Sequence, residues 1–294
     1  MIELKNVGKV YSNGTEALRN INLNIDKGRI IGVIGRNGAG KSTLFKVMCG
    51  IITDYTGESR VLGDKSNIRL SDKVSYLPEV RGIDGRKTVG EHLTDLLMYK
   101  GYNRRFAEKL ILQGLERFGM KDYRYFKINT LSKGNQQKLQ VILTIANAPE
   151  ILILDEPFSG LDLITAEFLW KIICELKENG STILFSSHNL SDIIYDSDAF
   201  VFLDKGNLQE FGTLEEIQSH YDMILEIQND SLREEVLGEI NGVDGFRKEG
   251  DVYYVSMKEE DTARAIYQQL DNKYSRRFYV RKMTLSEIFK SINR

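Results

Sequence analysis

Eight consecutive residues, Gly35, Arg36, Asn37, Gly38, Ala39, Gly40, Lys41 and Ser42, have the composition needed to hold a polyphosphate. Glycines let the backbone curl so that several N–H groups face one cluster of oxygens, and a helix opening directly afterwards adds its positive end to the same place. The string fits the phosphate-loop pattern. In that pattern Lys41 reaches the β- and γ-phosphates, Thr43 follows in the same turn, and the hydroxyl of Ser42 ligates Mg²⁺, a cation that takes oxygen donors and keeps several waters. The competing reading is a glycine-rich turn that serves packing alone. The flanks weigh against it: the aliphatic run Ile30 to Ile34 enters the loop as a buried strand, and Lys41 to Ile52 places Leu44, Phe45, Val47, Met48 and Ile51 at helical spacing.

A second chemical cluster closes another aliphatic run. Asp155 and Glu156 come directly after Ile151 to Leu154, and acidic residues at the tip of a buried parallel strand lie on the edge of the sheet where ligands bind. Phosphoryl transfer needs charge stabilisation and a positioned nucleophile, so Asp155 is assigned to the metal and Glu156 to the attacking water. A solvated acidic turn is the bland alternative. His188 comes after the strand Thr182 to Phe185 on the same edge, within reach of a γ-phosphate, whereas His92 and His220 lack such placement and read as surface or satisfied core.

Several elements must position these groups. Ile2 to Val10 and Ala17 to Ile25 alternate as half-buried strands around the turn Ser12 to Gly14, which predicts an antiparallel opening sheet. From Thr88 to about Ala148 the apolar residues recur at helical spacing, through Leu93, Leu96, Leu97, Leu110, Ile111, Leu115, Leu139, Ile142 and Leu143, as a helical insertion. The runs Ile151 to Leu154 and Thr182 to Phe185 are too apolar for a sheet with one wet face, and the helical stretch Ile164 to Lys177 between them makes a parallel crossover. A strand at Ala199 to Leu203 and a turn at Asp204 to Asn207 precede a helix from Leu214 to His220, where the first domain is expected to stop. Tyr221 to Val280 then reads as strand, helix, two strands meeting at Glu249 to Asp251, helix and strand, a small split βαβ arrangement closed by the helix Leu285 to Ile292.

Composition narrows the class. Over 294 residues, 40 Lys and Arg against 42 Asp and Glu leave no whole-chain electrostatic reason to bind nucleic acid. Two distant cysteines, Cys49 and Cys174, give neither a disulfide framework nor a clustered zinc site and suit a reducing cytosol. No segment approaches a membrane span and the N-terminus MIELKNV lacks a signal-like apolar stretch, so work at a membrane is expected to need a partner.

Taken together, GRNGAGKS, LSKGNQQ at Leu131 to Gln137, ILILDEP at Ile151 to Pro157, SGLD at Ser159 to Asp162 and His188 resemble the nucleotide-binding subunit of ABC transporters, over about residues 2 to 218. The resemblance implies an α/β fold: a P-loop NTPase core of ABC type, with a mixed sheet, antiparallel opening strands and a helical subdomain at about 85–148. The ABC ATPase domain would occupy 1–218 and a small C-terminal accessory α/β domain 219–294. ATP and Mg²⁺ are the implied cofactors. It implies that two copies, expected as a homodimer, pair head to tail so that Ser132 and Gly134 of one close over the ATP held by the Lys41 loop of the other, with Asp162 at the seam and Tyr11 against the adenine. Asp162 as an exposed acidic turn and Tyr11 as a strand-end tyrosine are the competing readings. In this chain Lys133 replaces a glycine and Asn135 a glutamine of the LSGGQ-type segment. Glu79, in SYLPEVRG, stands where the family commonly has a glutamine that touches the metal; a carboxylate can bind the cation but cannot donate an amide hydrogen bond.

The LPE variant and the closing LSEIF at Leu285 to Phe289 look like the subfamily paired with ABC-2 type permeases, mostly exporters. The expected function is therefore ATP hydrolysis that powers substrate movement through a separate multi-span permease, with the chain cytoplasmic and peripheral on the inner face of the cell membrane. The alternative is a soluble ABC ATPase acting on nucleic acid or ribosomes, a class that shows paired P-loops, long coiled coils or zinc cysteines. The cluster Arg276, Arg277, Arg281 and Lys282 around Phe278 and Tyr279 could face RNA, but reads better as the wet face of an edge strand that its charges blunt. The tail is expected to be an interaction or dimerisation module. It shows no metal-ligand spacing.

Overall fold

A computed structural model of the chain describes residues 1–65, 73–79, 82, 84–187, 197–229, 232, 234–269 and 275–293. The chain divides into two units, Met1–Phe211 and Gly212–Arg294.

In the first unit β1 (Ile2–Val10) and β2 (Glu16–Ile25) pair antiparallel, as their alternating pattern predicts. β3 (Ile30–Ile34) is buried at every position and leads through the glycine loop into α1 (Lys41–Met48). That helix is shorter than the apolar spacing suggested. The chain turns back at Cys49 and Gly50, with Ile51 N donating to Lys46 O, a helix-ending bond that leaves Ile51 outside the helix. β4 (Thr56–Val61) and β5 (Asp64–Lys65) complete an antiparallel sheet of order β2-β1-β4-β5.

β6 (Val74–Leu77) precedes the helical part. It comprises α2 (Val89–Tyr99), α3 (Arg104–Arg117) and α4 (Lys133–Ile145), with two 3₁₀ turns at Lys121–Tyr125 and Ile128–Thr130. Thr88 and Glu91 form a reciprocal capping box at the start of α2, and Asn103 and Ser132 cap the next two helices. Leu93, Leu97, Ile111, Leu115, Leu139 and Ile142 form their shared core, which is the insertion the periodicity predicts.

β7 (Ile151–Leu154), α5 (Leu163–Glu178), β8 (Thr182–Ser187), β9 (Ala199–Asp204) and β10 (Asn207–Gly212) come next. The main sheet has the order β10-β9-β3-β8-β7-β6, with β3, β6, β7, β8 and β9 parallel. β10 has no counterpart among the strands expected from sequence, because its residues are mostly half-buried and carry no aliphatic run. The turn into it, Lys205 and Gly206, has positive φ at both residues (45° and 80°), the backbone of a tight hairpin turn. Between the two sheets lies α1: Leu44, Phe45, Val47 and Met48 share one buried core with Ile2, Leu18 and Ile21 on one side and Val33, Ile153, Leu184 and Val201 on the other.

The second unit contains α6 (Leu214–Gln218), β11 (Met223–Asn229), α7 (Glu234–Glu239), β12 (Val243–Glu249), β13 (Val252–Met257), α8 (Glu260–Gln269), β14 (Ser275–Lys282) and α9 (Leu285–Ile292). The division at Gly212 places α6 here, earlier than the boundary expected after residue 218; Gln218 Nε2 donates to Met283 O within this unit. Its sheet has the order β12-β13-β11-β14 with antiparallel pairs, the split βαβ arrangement, and buries Leu225, Ile227, Val255 and Met257 against Leu237, Ala263 and Ile266 of the two crossover helices.

The basic strand β14 is at a sheet edge as expected, but its charges are not only a wet face. Arg277 and Arg281 both reach the carboxylate of Glu226, which is 5% exposed, and Arg281 also pairs with Glu287 at 2.6 Å. A buried carboxylate needs such partners. At Glu287 burial pushes the carboxyl up, but Arg281, Thr284 and Arg247 outweigh it and bring it down from 4.5 to about 2. A depressed carboxyl contributes stability above its unfolded value and loses it as pH falls through the folded one. We therefore expect protection of the β14 and α9 amides from hydrogen exchange to weaken as pH falls from 4.5 towards about 2, and Glu287→Gln to remove that part of the pH dependence.

Candidate functional site

The phosphate-loop residues are held by their neighbours before any ligand is considered. Gly40 caps α1 with φ 105°, and a Cβ there would lie 2.5 Å from Ala17 O, so this position requires glycine on both counts. Ala39 O accepts from Gly206 N at 3.0 Å, and Gly206 O accepts from Arg19 N at 2.7 Å, which ties the loop to β2 through the Lys205–Gly206 turn. Lys41 Nζ donates to Gly35 O at 2.7 Å and to Arg36 O at 3.3 Å, and lies 3.8 Å from Glu156 Oε1.

The acidic pair sits at the end of β7, where Asp155 N donates to Leu77 O of β6 at 2.9 Å. Asp155 is 1% exposed, so its carboxylate must be bonded. Ser186 Oγ donates to Oδ1 at 2.7 Å and Tyr76 Oη to Oδ2 at 3.3 Å. Burial, followed by the charge of Asp155, pushes the Tyr76 hydroxyl far above its ordinary value, so it remains a donor. Glu156 has φ 53°, a left-handed backbone uncommon for a non-glycine residue and frequent at functional sites. Its N–H donates to the same Ser186 Oγ at 2.9 Å. Beyond Pro157, Phe158 packs with Trp170 and Phe185 at ring separations of 6.0 and 5.8 Å, which anchors the segment after Glu156 to α5 and β8.

These elements enclose a cleft of about 450 Å³. Tyr11, Asn37, Gly38, Ala39, Gly40, Lys41, Ser42, Thr43, Glu79, Asp155 and Glu156 all line it, while Gly35 stands at the loop's base as the acceptor for Lys41. Tyr11 Oη is 3.1 Å from Thr43 Oγ1, which fixes its ring at the mouth. The donors Ser42, Glu79 and Asp155 are all oxygen, the set suited to Mg²⁺. Among the described residues no three His, Cys, Asp or Glu could hold a metal by themselves, so phosphate oxygens and waters would complete the shell, as is usual for this ion. The residues fit a Mg²⁺-triphosphate.

Ser132 and Gly134 are not among the lining residues of this cleft. Ser132 is exposed, and its Oγ accepts from Asn135 N at 3.2 Å as the cap of α4. Asp162 caps α5 through Thr165 N at 2.9 Å, and this bond with that from the Thr165 hydroxyl holds its carboxyl below the usual range. His188 lies outside the described residues. Sequence reasoning missed Tyr76 and Ser186. A signal for Ser186 was present: the apolar run Ile183 to Phe185 gives way to two serines, Ser186 and Ser187, that are buried inside the same strand.

The ABC transporter family matches residues 18–159, and the C-terminal domain of DrrA1-3-like ATP-binding proteins matches residues 212–292. The uncharacterized ABC transporter ATP-binding protein YhaQ of Bacillus subtilis (strain 168) is 34% identical over 98% of this chain and 97% of its own. The chain belongs to the ATP-binding subunits of ABC transporters. Also similar is the lantibiotic transport ATP-binding protein SrtF of Streptococcus pyogenes, 31% identical over 71% of this chain and 89% of its own. A solved dimer of an ATP-binding cassette in a post-hydrolysis state, bound to ADP and Pi, matches with a TM-score of 0.66 at 26% identity, over 73% of this chain and 99% of that one. ABC ATP-binding subunits bind and hydrolyse ATP, dimerise and work with a membrane permease. Among the described residues no helix of this subunit is long and apolar enough to cross a membrane itself.

For this ABC ATPase the Gly40 geometry makes a direct expectation. Gly40→Ala forces a left-handed alanine against Ala17 O and should lower affinity for a fluorescent ATP analogue about tenfold or more, read by titration, with the melting temperature of the second unit unaffected.

Proposed function

We propose that two copies of this subunit bind two ATP molecules with Mg²⁺, each between the Lys41 loop of one copy and the Ser132–Gly134 segment of the other, and that hydrolysis drives export through an ABC-2 type permease on the inner face of the cell membrane. The observation that carries the reading is the convergence of Lys41, Ser42, Asp155 and Glu156 on one cleft, with Lys41 and Glu156 both nearly buried and 3.8 Å apart. In this reading the backbone of Gly35, Asn37, Gly38, Ala39, Gly40 and Thr43 cradles the phosphates, with Lys41 neutralising the β and γ groups. Ser42 and Asp155 hold the Mg²⁺, with Glu79 beside them. The cation supplies charge neutralisation to the phosphates. Tyr11 stacks on the base. Glu156 takes the proton of the attacking water, and His188 contacts the γ-phosphate.

Pairing is supported by the exposure of Ser132 away from the cleft of its own chain, and by the apolar side chains just after Asp162: Leu163 and Ile164 are 75% and 80% exposed. Such neighbouring apolar surface is suited to a partner. Export and the ABC-2 pairing are supported by the segment Leu77-Pro78-Glu79, by the DrrA1-3-like C-terminal domain, and by the name of SrtF, a lantibiotic transport protein. The C-terminal domain, a four-stranded sheet covered by helices, is assigned to contacts between subunits.

The assignment of Glu156 is tested by Glu156→Gln. It should retain ATP binding, accumulate a stable dimer on gel filtration with ATP and Mg²⁺, and lose roughly 10²- to 10⁴-fold in turnover. Phosphate release at the ordinary rate would remove Glu156 from the chemistry.

A further inference from the structure

We propose that Ser186 is a positioning residue of the ATPase site, a single buried hydroxyl that sets the Asp155 carboxylate and the Glu156 backbone together. The inference rests on the reading of Asp155 and Glu156 above and adds a residue that this reading does not use.

Ser186 is 0% exposed and lies one residue beyond the pairing of Leu154 with Phe185, so parallel register alone brings its side chain level with the tip of β7. Its Oγ accepts from Glu156 N at 2.9 Å and donates to Asp155 Oδ1 at 2.7 Å. A serine hydroxyl has one proton. Because a peptide N–H can only donate, that proton is committed to Asp155, and the direction of the whole chain of bonds is fixed: backbone N–H to hydroxyl, hydroxyl to carboxylate. One bond holds Glu156 in its left-handed backbone, at φ 53°, and thereby aims its side chain towards Lys41. The other occupies one lone pair of Oδ1 and fixes the rotation of the Asp155 carboxylate, whose Oδ2 is held from the opposite side by Tyr76 of β6. Strands β6 and β8 thus each contribute a hydroxyl to the carboxylate that β7 presents, and the lone pairs left over are the ones available to the cleft.

Alanine at this position would take the Ser186 hydroxyl away from two buried groups, Glu156 N–H and Asp155 Oδ1. Partners of this kind behind a metal-holding carboxylate are worth roughly 10- to 100-fold in metal affinity or activity.

The test uses the full chain, MgCl₂ and a fluorescent ATP analogue. Ser186→Ala should raise the Mg²⁺ concentration that half-saturates nucleotide binding by about tenfold and lower kcat by a similar factor, while the KM for ATP and the Mg²⁺-free affinity for the nucleotide stay within about twofold. A contribution to folding alone would not separate these quantities. Asp155→Asn run in parallel tells the two readings apart. If Asp155→Asn leaves the Mg²⁺ midpoint unchanged, the site assignment itself fails; if Asp155→Asn moves it and Ser186→Ala does not, the role of Ser186 is refuted and the site stands. Should Ser186→Ala not fold, Tyr76→Phe, which keeps the ring and removes the hydroxyl on Oδ2, must shift the Mg²⁺ midpoint in the same direction; a wild-type midpoint in that variant overturns the proposal.

Discussion

An ammonium and a carboxylate, 7% and 9% exposed, face each other at 3.8 Å between the phosphate loop and the end of β7. Taking both from water costs several kcal/mol per ion unless geometry and further bonds compensate, so this pair cannot be left to side-chain freedom. Gly35 O and Arg36 O supply the added acceptors for Lys41, and the left-handed backbone of Glu156 aims the other partner. The parallel registers of β3 with β8 and of β7 with β8 bring the two strand tips to one edge of the sheet, offset by two residues, with Ile34 opposite Ser187 and Leu154 opposite Phe185. The core of α1 and the two sheets exists, in this sense, to keep those tips in place.

Much of this was legible in the sequence because the chemistry sits at the ends of aliphatic runs. Ile30 to Ile34 and Ile151 to Leu154 can only be buried strands, and the residues that succeed them, glycines with Lys41 in one case and Asp155 with Glu156 in the other, have to emerge on one edge. Less legible was the polar content inside a strand. Tyr76 and Ser186 belong to β6 and β8, each beside a buried serine, Ser75 and Ser187, and the sequence carries no label saying which of them meets a carboxylate across the sheet. That information is in the register between strands, which is a property of three-dimensional pairing. The end of α1 and the strand β10 were missed for related reasons: one is decided by backbone bonds at Cys49 and Gly50, the other by a turn at Lys205 and Gly206 that makes a half-buried segment pair with β9.

The second unit was readable in outline from its alternation of strand and helix, and its core matches that pattern. Its charges were not. Arg276, Arg277, Arg281 and Lys282 look alike in sequence, yet two of them converge on Glu226 from an antiparallel neighbour, and Arg281 goes on to Glu287 at the start of α9. A charge cluster read along one strand lacks its counter-ions until the adjoining strand is known. The same bonds stitch the final helix to the sheet, since Glu287 is both the capping-box residue of α9 and the partner of Arg281.

The turn at Lys205 and Gly206 has a thermodynamic corollary. Because Gly206 gives its N–H to Ala39 and takes one from Arg19, the glycine loop is braced from the neighbouring hairpin and from β2. A segment so braced has already surrendered its conformational freedom during folding. Ligand arrival then freezes little of the polypeptide, and the affinity it gains from each backbone N–H is diminished only slightly by chain ordering.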